Sequence, residues 1–399
     1  MSATSRLRTS LAFAAGVAAL GLAGPATAQE NVLKIGVLGV MSGPAASWGL
    51  VNRYSAEATA QMYNEQGGVE IDGETYQIEI VSIDDKNDSR LAVSGAERLI
   101  HQEGIRYIIG PNVDTTAASV VPVVEAGNAI NIPYAFSKQL YSPPRENSIL
   151  GMIASYQAAP IIYAYLQEEQ GVETVSFVAR NESDPLNQRD EGVAAAQELG
   201  LEVVSAEDTY EPGTTDFFPV MSKVVGQNPD LIVLSGVAPA DAPLLLRTAR
   251  ELGYEGILST ETAQDITILN EVAGEFADGF ISVGGASTPE IRSPYMEEFI
   301  ERYNQVAGEW NDEAGTKVYA LEVILMTLQQ AGKDAIEDIE LFKAALDDFS
   351  VTNPFLNEEQ PLTYVGTNYF EQKRQIGVPM VVNEVRDGEF NTLFIGSVD

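Results

Sequence analysis

The side chains of this chain that could catalyse a reaction are few, and their types exclude several kinds of chemistry. The sequence has one histidine, His101, and no cysteine, which excludes thiol catalysis, zinc–cysteine clusters and sites built on two histidines. It also lacks a Gly-x-Ser-x-Gly motif and a Gly-x-x-x-x-Gly-Lys-Ser/Thr phosphate loop. His101 lies in a helical stretch, RLIHQEGIRY, and is expected at the surface.

One adjacent acidic pair, Asp84-Asp85, ends a predicted strand and could serve in general acid–base catalysis. The next four residues, KNDS, are typical of a turn followed by a helix cap. A structural role is therefore the preferred interpretation. We predict that the chain is not an enzyme and has no cofactor, and no metal site is assigned.

The first 28 residues have the pattern of a secretory signal. Arg6 and Arg8 form the basic start, residues 11–22 an apolar stretch, and Ala26-Thr27-Ala28 a small-residue cleavage site. The apolar stretch is too short to span a bilayer, and no later run of about 18 apolar residues follows it. We expect cleavage after Ala28, export to the periplasm and no membrane insertion of the mature chain.

Acidic residues strongly outnumber basic ones in this sequence. There are 58 Asp and Glu against 23 Lys and Arg, which gives a formal net charge of −35 at pH 7. Such a surface repels nucleic acid and anionic lipid, so no nucleic acid partner is expected. The 399 residues, of which 45% are hydrophobic, indicate two or three domains with ordinary cores.

Short β-branched runs alternate with longer amphipathic segments, which predicts an α/β fold with doubly wound parallel sheets. The first lobe is predicted to have strands at residues 32–38, 76–83, 105–109 and 129–134 and helices at 48–65, 90–102 and 115–126. The second lobe is predicted to have strands at 174–179, 201–206, 230–234 and 256–259 and helices at 188–199, 216–225 and 240–252. Helices at 294–306, 314–330 and 341–348 and a hairpin at 377–384 and 389–395 are expected to complete both lobes.

Open parallel sheets bind ligands beyond the carboxyl ends of their strands, where the strand order reverses. Two lobes that face each other in this way form a cleft. The binding residues are therefore expected in the loops that follow the strands, at residues 39–47, 84–89, 110–115, 134–140, 180–187, 235–241 and 260–265.

Five segments stand in an order that matches a known family. They are KIGVLGVMSGPAASWG, IVSIDDKNDSRLAVSGAERLI, YIIGPNVDTTAASVVPVVEAG, DLIVLSGVAPADAPLLLRTARELGYEG and ADGFISVGGAS. Together they resemble the periplasmic leucine/isoleucine/valine-binding proteins, which are type I solute-binding proteins of ABC importers. The resemblance covers essentially all of the mature chain.

This resemblance implies two doubly wound lobes joined by a hinge of three crossovers, near Ile153, Val283 and Val365. The N-terminal lobe would comprise residues 29–153 and 284–364, and the C-terminal lobe residues 154–283 and 365–399. It further implies a monomer that closes on a small-molecule ligand and delivers it to a membrane permease. A ligand-sensing subunit of a periplasmic receptor is the alternative role.

The resemblance also implies a ligand site. The family binds the ligand's α-carboxylate with a hydroxyl residue that falls on Asp114 here, and a carboxylate there is repulsive unless a proton or cation intervenes. Thr115 and Thr116 could supply hydroxyl groups at the helix N-terminus instead. Alternatively, Asp114 only caps that helix.

The family's next contacts, a backbone carbonyl and a hydroxyl, fall on Phe136 and Ser137. Its ammonium-binding glutamate falls on Glu261, which could otherwise be a solvated loop carboxylate. The first aromatic wall of the cleft falls on Trp48, although an aromatic residue there could instead pack under the preceding turn. Tyr319 matches a tyrosine near the cleft, with a helical core position as the more ordinary interpretation.

Two further aromatic walls are replaced in this sequence. The second falls near Asp184, and the third on Val237 or Ala238. If Asp114, Asp184 and Glu261 all face the cleft, a cationic or polyamine-like ligand or a metal ion is favoured. If Asp114 caps its helix and Asp184 points to solvent, Glu261 anchors the ammonium of an amino acid or derivative, which is the preferred interpretation.

Overall fold

Two sheets of parallel-dominated strands, flanked by helices, organise the computed structural model, which describes residues 31–398. This arrangement confirms the predicted α/β class. The predicted signal peptide and its cleavage site after Ala28 lie outside the described residues. None of the helices within residues 31–398 has the length and apolar character needed to cross a membrane.

The strands, in chain order, have the following bounds. They are β1 Asn31–Gly39, β2 Val69–Ile71, β3 Glu74–Asp84, β4 Tyr107–Ile109, β5 Ile130–Ile132, β6 Thr174–Arg180, β7 Glu202–Tyr210, β8 Leu231–Ser235, β9 Ile257–Ala263, β10 Phe280–Gly284, β11 Ser350–Thr352, β12 Pro361–Val365, β13 Gln375–Ile376, β14 Pro379–Arg386 and β15 Glu389–Ser397.

The α-helices connect these strands. They are α1 Ala46–Glu65, α2 Ser89–His101, α3 Asp114–Ala126, α4 Ser155–Gln170, α5 Ser183–Glu198, α6 Phe218–Val225, α7 Ala242–Glu251, α8 Ile266–Val272, α9 Pro294–Ala307, α10 Ala314–Lys317, α11 Tyr319–Ala331, α12 Ile339–Ala345 and α13 Thr367–Phe370.

The sheet of the first lobe has the strand order β2-β3-β1-β4-β5. Strands β3, β1, β4 and β5 are parallel, and β2 is antiparallel to β3. The chain moves from β1 outward to β3 on one side and then to β4 on the other. The strand order therefore reverses between β1 and β4, and the loops that follow these two strands border a crevice.

The sheet of the second lobe repeats this arrangement. Its order is β15-β14-β10-β9-β8-β6-β7, and β14 is antiparallel to both of its neighbours, β10 and β15, while the other pairs are parallel. In β8, Ile232 and Leu234 pack into one core cluster, and Leu231 and Val233 into another. Burial on both faces explains why these strands appear in the sequence as continuous apolar runs. Here the order reverses between β6 and β8.

Three short segments within residues 31–398 contain buried residues of both core clusters, and we propose them as the crossings between the lobes. Leu150 packs in the first-lobe core and Ile153 in the second-lobe core. Farther along the chain, Val283 packs in the second-lobe core and Ala286 in the first-lobe core. The last crossing lies between Ile376 and Met380.

In this proposal the last crossing comes after Ile376, whereas the sequence predicts it near Val365. The segment in between stays with the first lobe because Phe370 and Ile376 are buried in its core. In addition, Leu150 donates a backbone hydrogen bond to Arg374.

Four differences from the predicted elements affect the site. Helix α5 begins at Ser183 instead of residue 188, and β9 continues to Ala263 instead of ending at 259. The predicted helix at 314–330 is divided into α10 and α11 around Val318. Helix α4 is absent from the sequence prediction, since polar Ser155 and Gln157 share its buried side with apolar residues and weaken its periodicity.

Gly110, which follows β4, lies where any side chain would collide with the sheet. Its φ is +99°, and a Cβ would come within 1.9 Å of the Leu38 carbonyl oxygen. We expect Gly110→Ala to lower the free energy of unfolding by about 3 kcal/mol or more. Gly43→Ala is the matched control, because Gly43 has φ +83° with open space around it. Urea denaturation should show a loss of only about 1 kcal/mol there, and equal losses would contradict the close approach.

Candidate functional site

A cavity lies where the carboxyl ends of the two sheets face each other. It encloses roughly 440 Å³ of empty volume, part of which opens to solvent. The cavity lies beside both points of strand-order reversal, because its walls include residues after β4 and β6.

The first-lobe wall combines aromatic and polar side chains. Trp48 comes from α1, Asn112 from the loop after β4, and Tyr134 and Phe136 from the loop after β5. The Asn112 Nδ2 donates a hydrogen bond of 3.1 Å to the Trp48 carbonyl oxygen, while Asn112 Oδ1 is buried without a partner. Gly39 permits this approach, since a Cβ there would lie 2.1 Å from Asn112 Oδ1.

Helix α10 and the residue before it add a buried ion pair to the same wall. Lys317 Nζ lies 3.0 Å from Glu313 Oε2, and both side chains are nearly inaccessible, with exposed fractions of 5% and 2%. The Ser47 hydroxyl donates a hydrogen bond of 2.6 Å to Glu313 Oε1. The positive charge of Lys317 is therefore neutralised inside the wall.

The second-lobe wall is formed by the start of α5 and the end of β9. It comprises Asp184, Gln188, Thr262 and Ala263. Asp184 lies in the first turn of α5, one helical turn before Gln188, so both side chains lie on the same face. Asp184 Oδ1 and Gln188 Oε1 are buried and have no hydrogen-bond partner.

Asp114 is the first residue of α3, but it does not cap that helix. The cap position is Val113, which makes no side-chain hydrogen bond. Asp114 Oδ1 instead accepts hydrogen bonds from the backbone N–H groups of Phe136, at 2.7 Å, and Ser137, at 3.0 Å. The helix-cap interpretation is thus replaced by one in which Asp114 holds the loop after β5.

Asp114 and Asp184 meet across the cleft. Burial raises the pKa of both carboxyl groups, and the charge of Asp114 raises that of Asp184 further. Hydrogen bonds from Gln188 and the attraction of Arg180 oppose this rise at Asp184. Because the two carboxyl groups are buried and raise each other's resistance to ionisation, the pair disfavours two negative charges at once.

Glu261 lies inside β9 and is buried, so it is not a loop carboxylate. Its Oε1 accepts a hydrogen bond from the Tyr163 hydroxyl of α4, and its Oε2 has no partner. Burial raises the pKa of Glu261 to about 7. It stands next to Thr262 in the sequence but is not itself among the residues that line the cavity.

The remaining residues singled out in the sequence occupy different surroundings. Thr115 is exposed, and Ser137 is half-buried. Tyr319 is buried in the first-lobe core, where its ring packs edge-on against Phe355. Val237 and Ala238 are fully buried and lie away from the cavity lining.

Sequence reasoning missed several lining residues. They are Asn112, Tyr134, Met152, Gln188, Thr262, Ala263, Glu313, Thr316 and Lys317. Asn112, Tyr134, Thr262 and Ala263 lie within the strand-end loops that were singled out, so their position was available but their orientation was not. Glu313 and Lys317 lie at the start of a predicted helix, where no local pattern distinguished them from solvated charges.

The acidic pair Asp84-Asp85, at the end of β3, has a structural environment. Asp84 Oδ1 accepts hydrogen bonds of 2.9 Å from the backbone N–H groups of Met41 and Lys86, which ties two loops together. Asp88, three residues after Asp85, caps α2 by accepting from its first turn. His101 is exposed at the last residue of α2, as predicted. Within residues 31–398, no group of three or more His, Cys, Asp or Glu side chains could hold a metal ion.

Comparisons with known proteins agree with this architecture. A family model described as periplasmic binding protein matches residues 32–389. The Leu/Ile/Val-binding protein of Escherichia coli strain K12 is 24% identical over 338 residues, which cover 83% of this chain and 87% of that protein.

Solved structures resemble the chain over nearly its whole length. A leucine binding protein from Thermotoga maritima gives a TM-score of 0.76 at 20% identity, with coverage of 92% of this chain and 99% of that one. An ABC transporter solute binding protein from R. palustris, in complex with 4-hydroxybenzoate, gives 0.73 at 19% identity, with 92% and 97% covered. The shared fold therefore accommodates chemically different ligands.

Proposed function

Because the chain belongs to the periplasmic binding protein family, we propose that it is the periplasmic substrate-binding component of an ABC importer. In this proposal the interlobe cavity captures an amino acid or amino-acid-like small molecule that carries a protonated amino group. The main support for this proposal is a set of buried acceptor oxygens that have no hydrogen-bond partner and line the cavity from both lobes.

Those oxygens belong to Asn112 in the first lobe and to Asp184 and Gln188 in the second. A buried acceptor without a partner costs about 1–3 kcal/mol, more for a charged group. A ligand with several N–H donors removes that cost on both sides of the cleft. Binding energy is thus available for holding the two lobes together.

The mechanism is a shift between open and closed populations. The ligand first binds the first lobe, where the aromatic rings of Trp48 and Phe136 provide apolar contact and attract a cation. The second lobe then closes over it through the start of α5, and the permease recognises the closed form. Glu261, beside the lining residues of β9, would add a further negative charge near the amino group.

A binding and closure experiment tests this function. The chain from Gln29 onward is titrated calorimetrically with amino acids, amines, amides and aromatic acids, and small-angle X-ray scattering follows the radius of gyration. We expect at least one compound with an amino group to bind and to make the protein more compact. At 100 times its dissociation constant, that ligand should stabilise the fold by about 2.7 kcal/mol.

Binding without compaction would contradict hinge closure, and absence of binding across the whole panel would contradict the proposed function. The importer role is tested separately by uptake of the identified ligand, labelled with ¹⁴C, in cells with and without this protein. Equal uptake in both would contradict it.

A further inference from the structure

We infer that the ligand is an organic amine cation with no carboxylate next to its amino group, because Asp114 supplies a carboxylate from the protein itself. This inference rests on the proposed function and narrows its ligand class. It follows from the hydrogen-bond donors and acceptors that the cavity leaves free.

The hydrogen-bond donors of the loop after β5 are already occupied. A ligand carboxylate in this cleft would need N–H groups at the edge of the first sheet. The backbone N–H groups of Phe136 and Ser137 both donate to Asp114 Oδ1. Asp114 is only 5% exposed, so these donors are enclosed with a carboxylate already bound to them.

The side chains that line the cavity offer few free hydrogen-bond donors. Most of these donors already have an acceptor within the first-lobe wall. Asn112 Nδ2 donates to the Trp48 carbonyl oxygen. The Tyr134 hydroxyl donates to the Lys317 carbonyl oxygen, and the Thr316 hydroxyl donates to the Glu313 carbonyl oxygen. The cation of the lining, Lys317, donates to Glu313. A ligand carboxylate would therefore enter a cavity with no free cation in its described lining, beside the buried carboxyl of Asp184.

The buried polar atoms of the lining that remain without a hydrogen-bond partner are acceptor oxygens. The three unpartnered side-chain oxygens of the lining, on Asn112, Asp184 and Gln188, are acceptors that have no donor. Their residues are at least nine-tenths buried, with exposed fractions of 5%, 7% and 3%. An alkylammonium or guanidinium group offers three or more N–H donors and no acceptor, which matches this set.

Charge points to the same ligand class. Full ionisation of the buried carboxyl groups of Asp114 and Asp184 is favoured when a cation lies beside them. Trp48, Tyr134 and Phe136 place three aromatic rings in the same wall, and aromatic faces attract organic cations. A zwitterion would satisfy the acceptors but would add a second carboxylate next to Asp114.

Matched pairs of amines and amino acids provide the test. Agmatine and arginine, putrescine and ornithine, and 3-methylbutylamine and leucine differ within each pair by one carboxylate. Each is titrated calorimetrically into the chain from Gln29 onward. We expect the amine of at least one pair to bind 10-fold or more tightly than its amino acid.

Two variants of Asp114 complete the test. Asp114→Asn keeps an oxygen that can accept from Phe136 and Ser137, so it is expected to fold like the wild type and to lose 10-fold or more of the amine affinity. Asp114→Ser is expected to shift the preference within the same pair toward the amino acid. Circular dichroism and thermal melts establish that both variants fold.

The outcomes separate this inference from the function on which it rests. Wild-type binding of the amino acid as tightly as the amine in every pair that binds would overturn the inference and leave the binding role intact. Full amine affinity in Asp114→Asn would also overturn the inference and leave the binding role intact. If none of the six compounds binds, the inference fails, and the proposed function fails with it only when the wider panel also gives no ligand.

Discussion

Lys317→Met is expected to lower the free energy of unfolding by about 3–5 kcal/mol, because it leaves the Glu313 carboxylate charged and unpaired inside the cavity wall. Both partners are buried, and their separation is 3.0 Å. The methionine fills a similar volume, so the loss reports the missing charge more than a cavity. Urea denaturation of the ligand-free protein measures it.

Two controls identify the origin of this effect. The double variant Glu313→Gln, Lys317→Met removes both charges and should recover most of the stability, since uncharged replacement of a buried pair is often neutral. Arg247→Met breaks an ion pair with the same four-residue spacing, but its side chains are 53% and 50% exposed. It should cost less than about 1 kcal/mol, and a double variant as unstable as Lys317→Met would contradict the charge explanation.

Asp184→Asn is expected to weaken amine binding by a factor of about 30 to several thousand, while leaving the fold at least as stable. Removal of one partner from a buried, hydrogen-bonded charge pair costs about 2–5 kcal/mol or more of binding energy. In the proposed site, Asp184 is the negatively charged second-lobe contact to the ligand. Calorimetry with the best amine measures the loss.

The stability of the same variant depends on pH in a defined direction. Burial and the neighbouring Asp114 raise the pKa of Asp184 in the folded state. A carboxyl group whose pKa is higher in the folded state contributes its full stabilisation below its unfolded pKa of about 4. This contribution to the free energy of unfolding is lost as the pH rises toward the folded pKa. Asparagine cannot ionise, so Asp184→Asn should be more stable than the wild type at pH 8 and similar to it at pH 4.

Asp190→Asn is the matched control on the same helix. Asp190 is 66% exposed and pairs with Arg189, so this change should alter neither amine affinity nor the pH dependence by a measurable amount. Unchanged affinity in Asp184→Asn would contradict its proposed contact with the ligand. A loss of stability at pH 8 would contradict the burial of a raised-pKa carboxyl group.

The candidate site was predicted only in part from the sequence. Trp48, Phe136 and Asp184 line the cavity, and their positions follow from strand-end loops and the family resemblance. Tyr319 and Val237 belong to the cores, since a matched position in a related sequence does not specify which way a side chain points. The helix-cap interpretation of Asp114 was wrong because its carboxylate reaches the loop after β5, 22 residues away.

The fold class and the sheet edges that border the cavity could be predicted from the sequence alone. Alternation of β-branched strands with amphipathic helices is a local property, which depends on backbone sterics and on burial of one face or both. Strand β8 begins with four consecutive apolar residues, LIVL, because the strand is buried on both sides. Such patterns can be recognised without knowing which distant segments pack together.

Which polar atoms are paired and which remain free could be learned only from the folded structure. Asp114 and Asp184 are 70 residues apart in the chain and meet because two separate sheets bring their switch-point loops together. Lys317 looks like a solvated helical charge in the sequence, yet it is buried against Glu313. Burial and hydrogen bonding depend on the whole set of neighbours, so the balance of donors and acceptors in the cavity is a property of the folded chain.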